Sequence, residues 1–235
     1  MSTLIIPARF SGPDGSANGG YCGGRIAGLL APGAIVEVTL RKPTPLDRVL
    51  ELASDGGSRL CLRDGAETLV EARVTSFSPD FVVPPAPRFE EAVRLSNRFI
   101  GHERNAFPHC FVCGTARASG DGLRVFPGRT AERGPVAAPL VVPDDLVDAA
   151  GRIPPEVLWA ALDCPGYFGA AETGTPPALL GRMTAEIVGE LSRGEEAVVI
   201  GFPLGAERRK LFAGTALFGA DGRVIGRSRQ VWITI

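Results

Sequence analysis

An excess of charge of one sign is missing from this 235-residue sequence. Its 25 Lys and Arg face 26 Asp and Glu, the net charge is −1, and no block of five like charges occurs. That excludes the concentrated basic stripe with which proteins hold nucleic acid, so no nucleic-acid partner is expected. No apolar run approaches the roughly 20 residues of a membrane span. The N-terminal MSTLIIPARF has neither a basic leader nor a long apolar stretch, so no membrane or export role is expected. Cysteine is scarce, odd in number at five and thinly spread, which reads as reduced thiols in a cytoplasm rather than a disulfide framework. What is plentiful is Gly (30) and Pro (20), hence turns, in a chain that is 45% hydrophobic and 22% charged. That composition suits an ordinary folded core, and the length allows one large domain or two small fused ones.

The chain states one plan twice. Residues 58–77 (SRLCLRDGAETLVEARVTSF) and 214–233 (GTALFGADGRVIGRSRQVWI) each run from an apolar strand through Asp-Gly into a second alternating strand. The turns are Asp64-Gly65 and Asp221-Gly222. Upstream of each hairpin lies a helix-like segment, ANGGYCGGRIAGLL in the first half and PPEVLWAALDCPGYFGA in the second. Period-two alternation predicts strands at 34–40, 48–54, 58–63 and 67–74, then at 183–191, 197–204, 211–219 and 223–235. Strands adjacent in sequence and joined by short turns are antiparallel. Strand, helix and four strands, twice over, is an α+β plan in which a curved sheet wraps a helix. A twofold repeat means that each half packs on the other, which allows one site to be built from both.

Between the halves, Pro79, Pro84, Pro85 and Pro87 precede a short polar helix candidate, RFEEAVRLSNRF, and then the His102–His109 stretch. The expected division is an N-terminal unit over 1–78, a connector over 79–109 and a C-terminal unit over 110–235. Residues 173–181 (TGTPPALLG) read as a surface loop.

Three stretches carry a family resemblance. CFVCGTARASGDGLRVFPG (110–128) resembles the lead-in of small hotdog-fold acyl-CoA thioesterases. FSGPDGSANGGYCGGRIAGLL (10–30) resembles the Gly-Gly start of a hotdog helix, and ERRKLFAGTALFGADGRVIGRSRQVWI (207–233) is similar to the closing strands of double-hotdog acyl-CoA thioesterases. The resemblance implies a double hotdog: two curved antiparallel sheets, each wrapping a central helix, mimicking the dimer of single-hotdog enzymes. It also implies an acyl-CoA or other acyl thioester as partner, no cofactor, and further self-association of such chains.

Thioester hydrolysis needs donors for an oxyanion and a carboxylate that attacks the carbonyl or activates water. Gly19 and Gly20 at a helix start bring backbone N–H groups close to a ligand, where the helix dipole adds positive potential. The expected oxyanion donors are therefore the N–H groups of Gly20 and Tyr21, with Asn18 as an orienting amide and Gly19 against the substrate. The alternative is that Gly-Gly serves tight packing alone. In single-domain relatives a helical carboxylate follows the Gly-Gly by about two turns; here the seventh position after Gly20 is Ala27. In the second half Asp163 stands seven after Glu156, where the Gly-Gly slot reads Pro155-Glu156. The two losses are complementary, so Asp163 is the expected catalytic base or nucleophile of a site shared between halves.

Other readings stay open at this level. Asp163 precedes Cys164-Pro165, and a Pro there favours a turn. Glu156 suits the first turn of its own helix, and Cys164 reads as a small buried residue. Arg208, Arg209 and Lys210 either meet the phosphates of coenzyme A or form a solvated turn. His102, His109, Cys110 and Cys113 have zinc-ligand chemistry without the spacing of a known finger, so no metal is expected. A hydratase needs Asp and His close together on the helix lead, and both histidines lie in the connector. A non-catalytic acyl-CoA binder and a purely structural partner complete the rivals.

Overall fold

The computed structural model describes residues 2–132 and 134–235. The strands are β1 (Ser2–Leu4), β2 (Val36–Leu40), β3 (Leu50–Ser54), β4 (Arg59–Asp64), β5 (Glu67–Val74), β6 (Gly128–Arg129), β7 (Val136–Val141), β8 (Ala178–Ile187), β9 (Glu196–Glu207), β10 (Lys210–Gly219) and β11 (Val224–Thr234). The α-helices are α1 (Gly19–Leu30), α2 (Phe89–Ser96) and α3 (Pro155–Ala170). Every strand predicted from alternation falls on an observed one, as do the three helix candidates. Both Asp-Gly turns place glycine in the left-handed region, with φ 58° at Gly65 and 81° at Gly222, where a Cβ would be strained.

The strands form one antiparallel sheet in the order β1-β3-β4-β5-β2-β8-β11-β10-β9-β7-β6. This corrects the expectation of two separate sheets. From its outer edge inward the first half reads β1-β3-β4-β5-β2, and the second, inside the short β6, reads β7-β9-β10-β11-β8. They meet where β2 pairs with β8, in the register Val36↔Ala185, Glu37↔Thr184, Val38↔Met183 and Thr39↔Arg182. The physical reason is edge pairing: two unpaired strand edges brought side by side complete each other's backbone hydrogen bonds. Val36, Val38, Met183 and Ala185 are buried along this seam, and sequestering Val38 or Met183 is worth roughly 1.5–3 kcal/mol each.

The helices follow the same division. α1 packs on β2, β4 and β5, and α3 on β8 to β11, while α1 and α3 pack on one another. α3 is apolar around most of its circumference, as befits a helix enclosed between a sheet and a second helix. The sheet face opposite α3 is also covered. Alternate residues of β9 serve two cores, Ala197 and Val199 with α3, and Val198, Ile200 and Phe202 with Ala92 and Leu95 of α2. Residues 103–127 form neither helix nor strand. They pack on the first half: Phe111 N–H donates to Ser11 O at 2.7 Å, and Phe111 lies edge-on to Phe10, which stacks on Tyr21. Arg117 fastens the same segment, donating to the carbonyls of Arg9 and His109 and to Asp121. The 110–126 stretch thus touches both halves, Phe111 meeting Ser11 and Phe10 of the first and Cys110 meeting Cys164 of α3 in the second. Among the described residues no helix is long and apolar enough to cross a membrane.

Candidate active site

The two helices cross at the start of α1. Asn18 is its N-cap, with extended backbone and its side-chain Oδ1 accepting from Tyr21 N–H at 2.9 Å, the standard arrangement for an asparagine cap. Its amide Nδ2 points the other way and donates to Asp163 Oδ2 at 2.8 Å. Gly20 N–H donates to the same oxygen at 2.9 Å. A carboxylate from the second half therefore sits on the N-terminus of the first-half helix, where dipole and free N–H groups favour negative charge. Close approach requires glycine. A Cβ on Gly20 would lie 2.6 Å from Trp159 O and 2.7 Å from the Asp163 Cβ, and one on Gly24 would lie 2.6 Å from the Glu156 Cα. Gly20 serves both helix packing and donation to a carboxylate.

Asp163 is 2% exposed, and its second oxygen, Oδ1, is buried with no hydrogen-bond partner. Burial pushes its pKa up to about 7, against the downward pull of Gly20 N–H and the Asn18 amide. Asp163 is not a turn residue. α3 runs through Pro165 to Ala170, although an internal proline removes one backbone bond and displaces the preceding turn. The bond that Pro165 cannot make is the one to Ala161 O; in the same turn a buried side chain, Gln230 on β11, donates to Leu162 O at 2.6 Å, is held by Trp232 Nε1 at 2.7 Å, and also donates to Ser228. Sequence reading passed over Thr215, Ser228 and Gln230. The available signal was polar residues at inward-facing positions of otherwise apolar strands.

Asn18, Gly19, Cys110, Cys113, Asp163 and Cys164 lie together on the wall of a cavity of about 1480 Å³. Leu40, Phe107, Leu180, Phe168 and Trp232 give it apolar surface, and Arg98, Arg104 and Arg129 line it as well. Asp163, Asn18, Gly19 and Gly20 are thus brought together as the residues predicted. Two details differ from expectation. The N–H groups of Gly20 and Tyr21, expected to hold an oxyanion, are bonded to Asp163 and Asn18; among the described residues the Gly19 N–H alone of these three has no partner. Arg208 and Arg209 form the β9–β10 turn and Lys210 opens β10, all three outside the cavity lining. Arg208 has φ 53° and Arg209 is spent on Thr234 O. A tight turn fixes those side chains at the sheet's end.

The zinc-ligand set weighed from sequence also divides. His102 meets Ser96 O and His109 pairs with Asp14, both exposed. Cys110 and Cys113 turn inward and meet Cys164. The thiols of Cys113 and Cys164 face Cys110 and hold its pKa well below the usual thiol range, while their own are pushed up.

No protein-family model matches the chain, and no curated protein matches it. Solved structures do. A tesB protein of Mycobacterium avium subs paratuberculosis is 15% identical, with 99% of this chain and 92% of that one covered and a TM-score of 0.62. A hot dog fold protein of unknown function from Alicyclobacillus acidocaldarius is 13% identical over 99% and 92%, at 0.59. The chain has the hotdog fold. A candidate thioesterase from Novosphingobium aromaticivorans, 15% identical over 99% and 94% at 0.64, shares it. The likeness in fold runs over 99% of the chain.

Proposed function

We propose that this protein is an acyl-CoA thioesterase with one composite active site, formed by Asp163 of the second hotdog half and the α1 N-terminus of the first. In this reading the chain is a double hotdog, with halves over 1–78 and 110–235 and a connector over 79–109. The observation that carries the proposal is the pair of bonds from Asn18 and Gly20 to Asp163 Oδ2 at the wall of a cavity. They fix the carboxylate and leave Oδ1 for chemistry.

Asp163 Oδ1 takes a proton from water as the water oxygen adds to the thioester carbonyl, the general-base role; direct attack by Oδ1 is the nucleophilic variant. The oxyanion develops at the positive end of α1, where Gly19 N–H has no partner among the described residues. Collapse breaks the C–S bond, and the departing CoA thiolate takes the proton from Asp163. The products are a carboxylic acid and CoA. Arg98 and Arg104, which line the cavity without ion-pair partners among the described residues, suit the CoA phosphates better than the β9–β10 turn does.

A second reading is a non-catalytic acyl-CoA binding protein. One observation favours it: Gly20 and Tyr21 N–H groups are already bonded to side chains. A screen of the purified chain against acyl-CoAs of graded length, read as free thiol released, separates the two. Steady release supports the thioesterase, and tight binding without release supports the binder.

A further inference from the structure

Three sulfurs converge beside Asp163. The Sγ atoms of Cys110, Cys113 and Cys164 all lie within 4.8 Å of one another, each from a buried residue, and those of Cys110 and Cys164 are 3.6 Å apart. The other two cysteines are placed singly, Cys22 against Thr44 and Cys61 half-buried on β4. The spacing has a chemical meaning. Thiolates arranged tetrahedrally about zinc at about 2.3 Å stand about 3.8 Å from each other, whereas a disulfide needs about 2.05 Å.

The frame around the sulfurs is built. Cys110 and Cys113 sit on a Cys-x-x-Cys-Gly turn closed by Gly114 N–H to Cys110 O at 2.8 Å. A Cβ at Gly114 would lie 2.4 Å from that oxygen and 2.6 Å from Pro108 O, so the turn requires glycine. The third sulfur comes from the rigid helix α3. Asn18 Nδ2 lies 3.9 Å from Cys110 Sγ, an outer hydrogen bond of the kind that orients a metal ligand. The turn belongs to residues 103–127, a stretch long for irregular structure within a compact domain, for which a cross-link to α3 would be a staple.

We propose that Cys110, Cys113 and Cys164 form a thiolate site for one soft divalent metal ion, zinc being the expected occupant, which ties the 110–114 turn to α3. Thiolate ligands select Zn²⁺ over Mg²⁺ or Ca²⁺. Three of them leave one position of a tetrahedral ion for a ligand from the cavity that all three residues line. The site is independent of hydrolysis and is read without a substrate.

The test uses the full chain, reduced with a phosphine, mixed with Zn²⁺ and desalted. Elemental analysis should find stoichiometric zinc, and Co²⁺ in its place should give thiolate-to-metal charge-transfer absorption. Cys164→Ser and Cys110→Ser should lose both signals, while Cys61→Ser keeps them. Should the serine variants misfold, the zinc-edge X-ray absorption of the wild type still decides, with three sulfur ligands expected. A wild type that keeps no zinc, a Cys164→Ser protein that keeps as much as the wild type, or an absorption edge without sulfur ligands overturns the proposal.

Discussion

Asp163 Oδ2 lies 2.9 Å from the backbone nitrogen of Gly20, although the two residues are 143 positions apart in the chain. The bond joins a helix of one half-sheet to the start of the helix of the other. Its partners make a buried carboxylate tolerable, but only one of its two oxygens is satisfied. Desolvating a charge on so few donors is costly, and a group kept at that cost is a candidate for chemistry.

The first prediction follows for stability. Asp163→Asn keeps an acceptor for Gly20 and Asn18 and removes the charge, so the fold should gain about 1 kcal/mol. For a chain of this size that is roughly 2–4 °C in Tm, measurable by calorimetry. A lower Tm would mean that the charge itself holds the helices together.

Gly20 and Gly28 should respond in opposite ways to alanine. At Gly20 the new methyl meets the Trp159 carbonyl at 2.6 Å, so Gly20→Ala should cost about 1–3 kcal/mol through overpacking and displace the Asp163 carboxylate. At Gly28, in the same helix, nothing lies within 4 Å. Gly28→Ala should add roughly 0.5–1 kcal/mol through helix propensity. Chemical denaturation of both variants gives the sign of each.

Asn18 has more to do than orient a substrate, so its replacement should not be mild. Asn18→Ala removes the cap of α1, worth about 0.5–2 kcal/mol, and one donor to Asp163. Asn18→Asp keeps the cap but sets a second carboxyl against Asp163. Comparing them separates the roles: Asn18→Asp should retain more stability than Asn18→Ala while losing activity.

Much of the fold was readable because it rests on local signals. Alternation placed the strands, and Asp64-Gly65 and Asp221-Gly222 marked equivalent turns because both need a left-handed glycine. The meeting of Asp163 with α1 was legible from complementary losses at Ala27 and Pro155-Glu156. What stayed hidden depends on distant partners. Pro165 reads as a helix end until α3 is seen to run on to Ala170, packed against the last strands, with Gln230 bonded to the Leu162 carbonyl one turn before the proline. Cys164 reads as filler until Cys110 and Cys113 arrive from an irregular segment. The merger of two sheets into one depends on edges that no single strand reveals.

Acyl-CoA recognition should follow the cavity wall and not the β9–β10 turn. Arg98→Ala or Arg104→Ala should raise KM about tenfold, near 1.4 kcal/mol, with kcat little changed. Replacing Arg208, Arg209 and Lys210 together by alanine should leave KM near the wild-type value. Steady-state kinetics on one accepted acyl-CoA measures both.

The most direct test of the composite site is turnover of that acyl-CoA by Asp163→Asn, read as thiol release beside a binding measurement on the same protein. The account predicts that kcat falls by the roughly 10²–10⁴ typical of an acid–base group while binding is retained. Turnover by Asp163→Asn near the wild-type rate would contradict it.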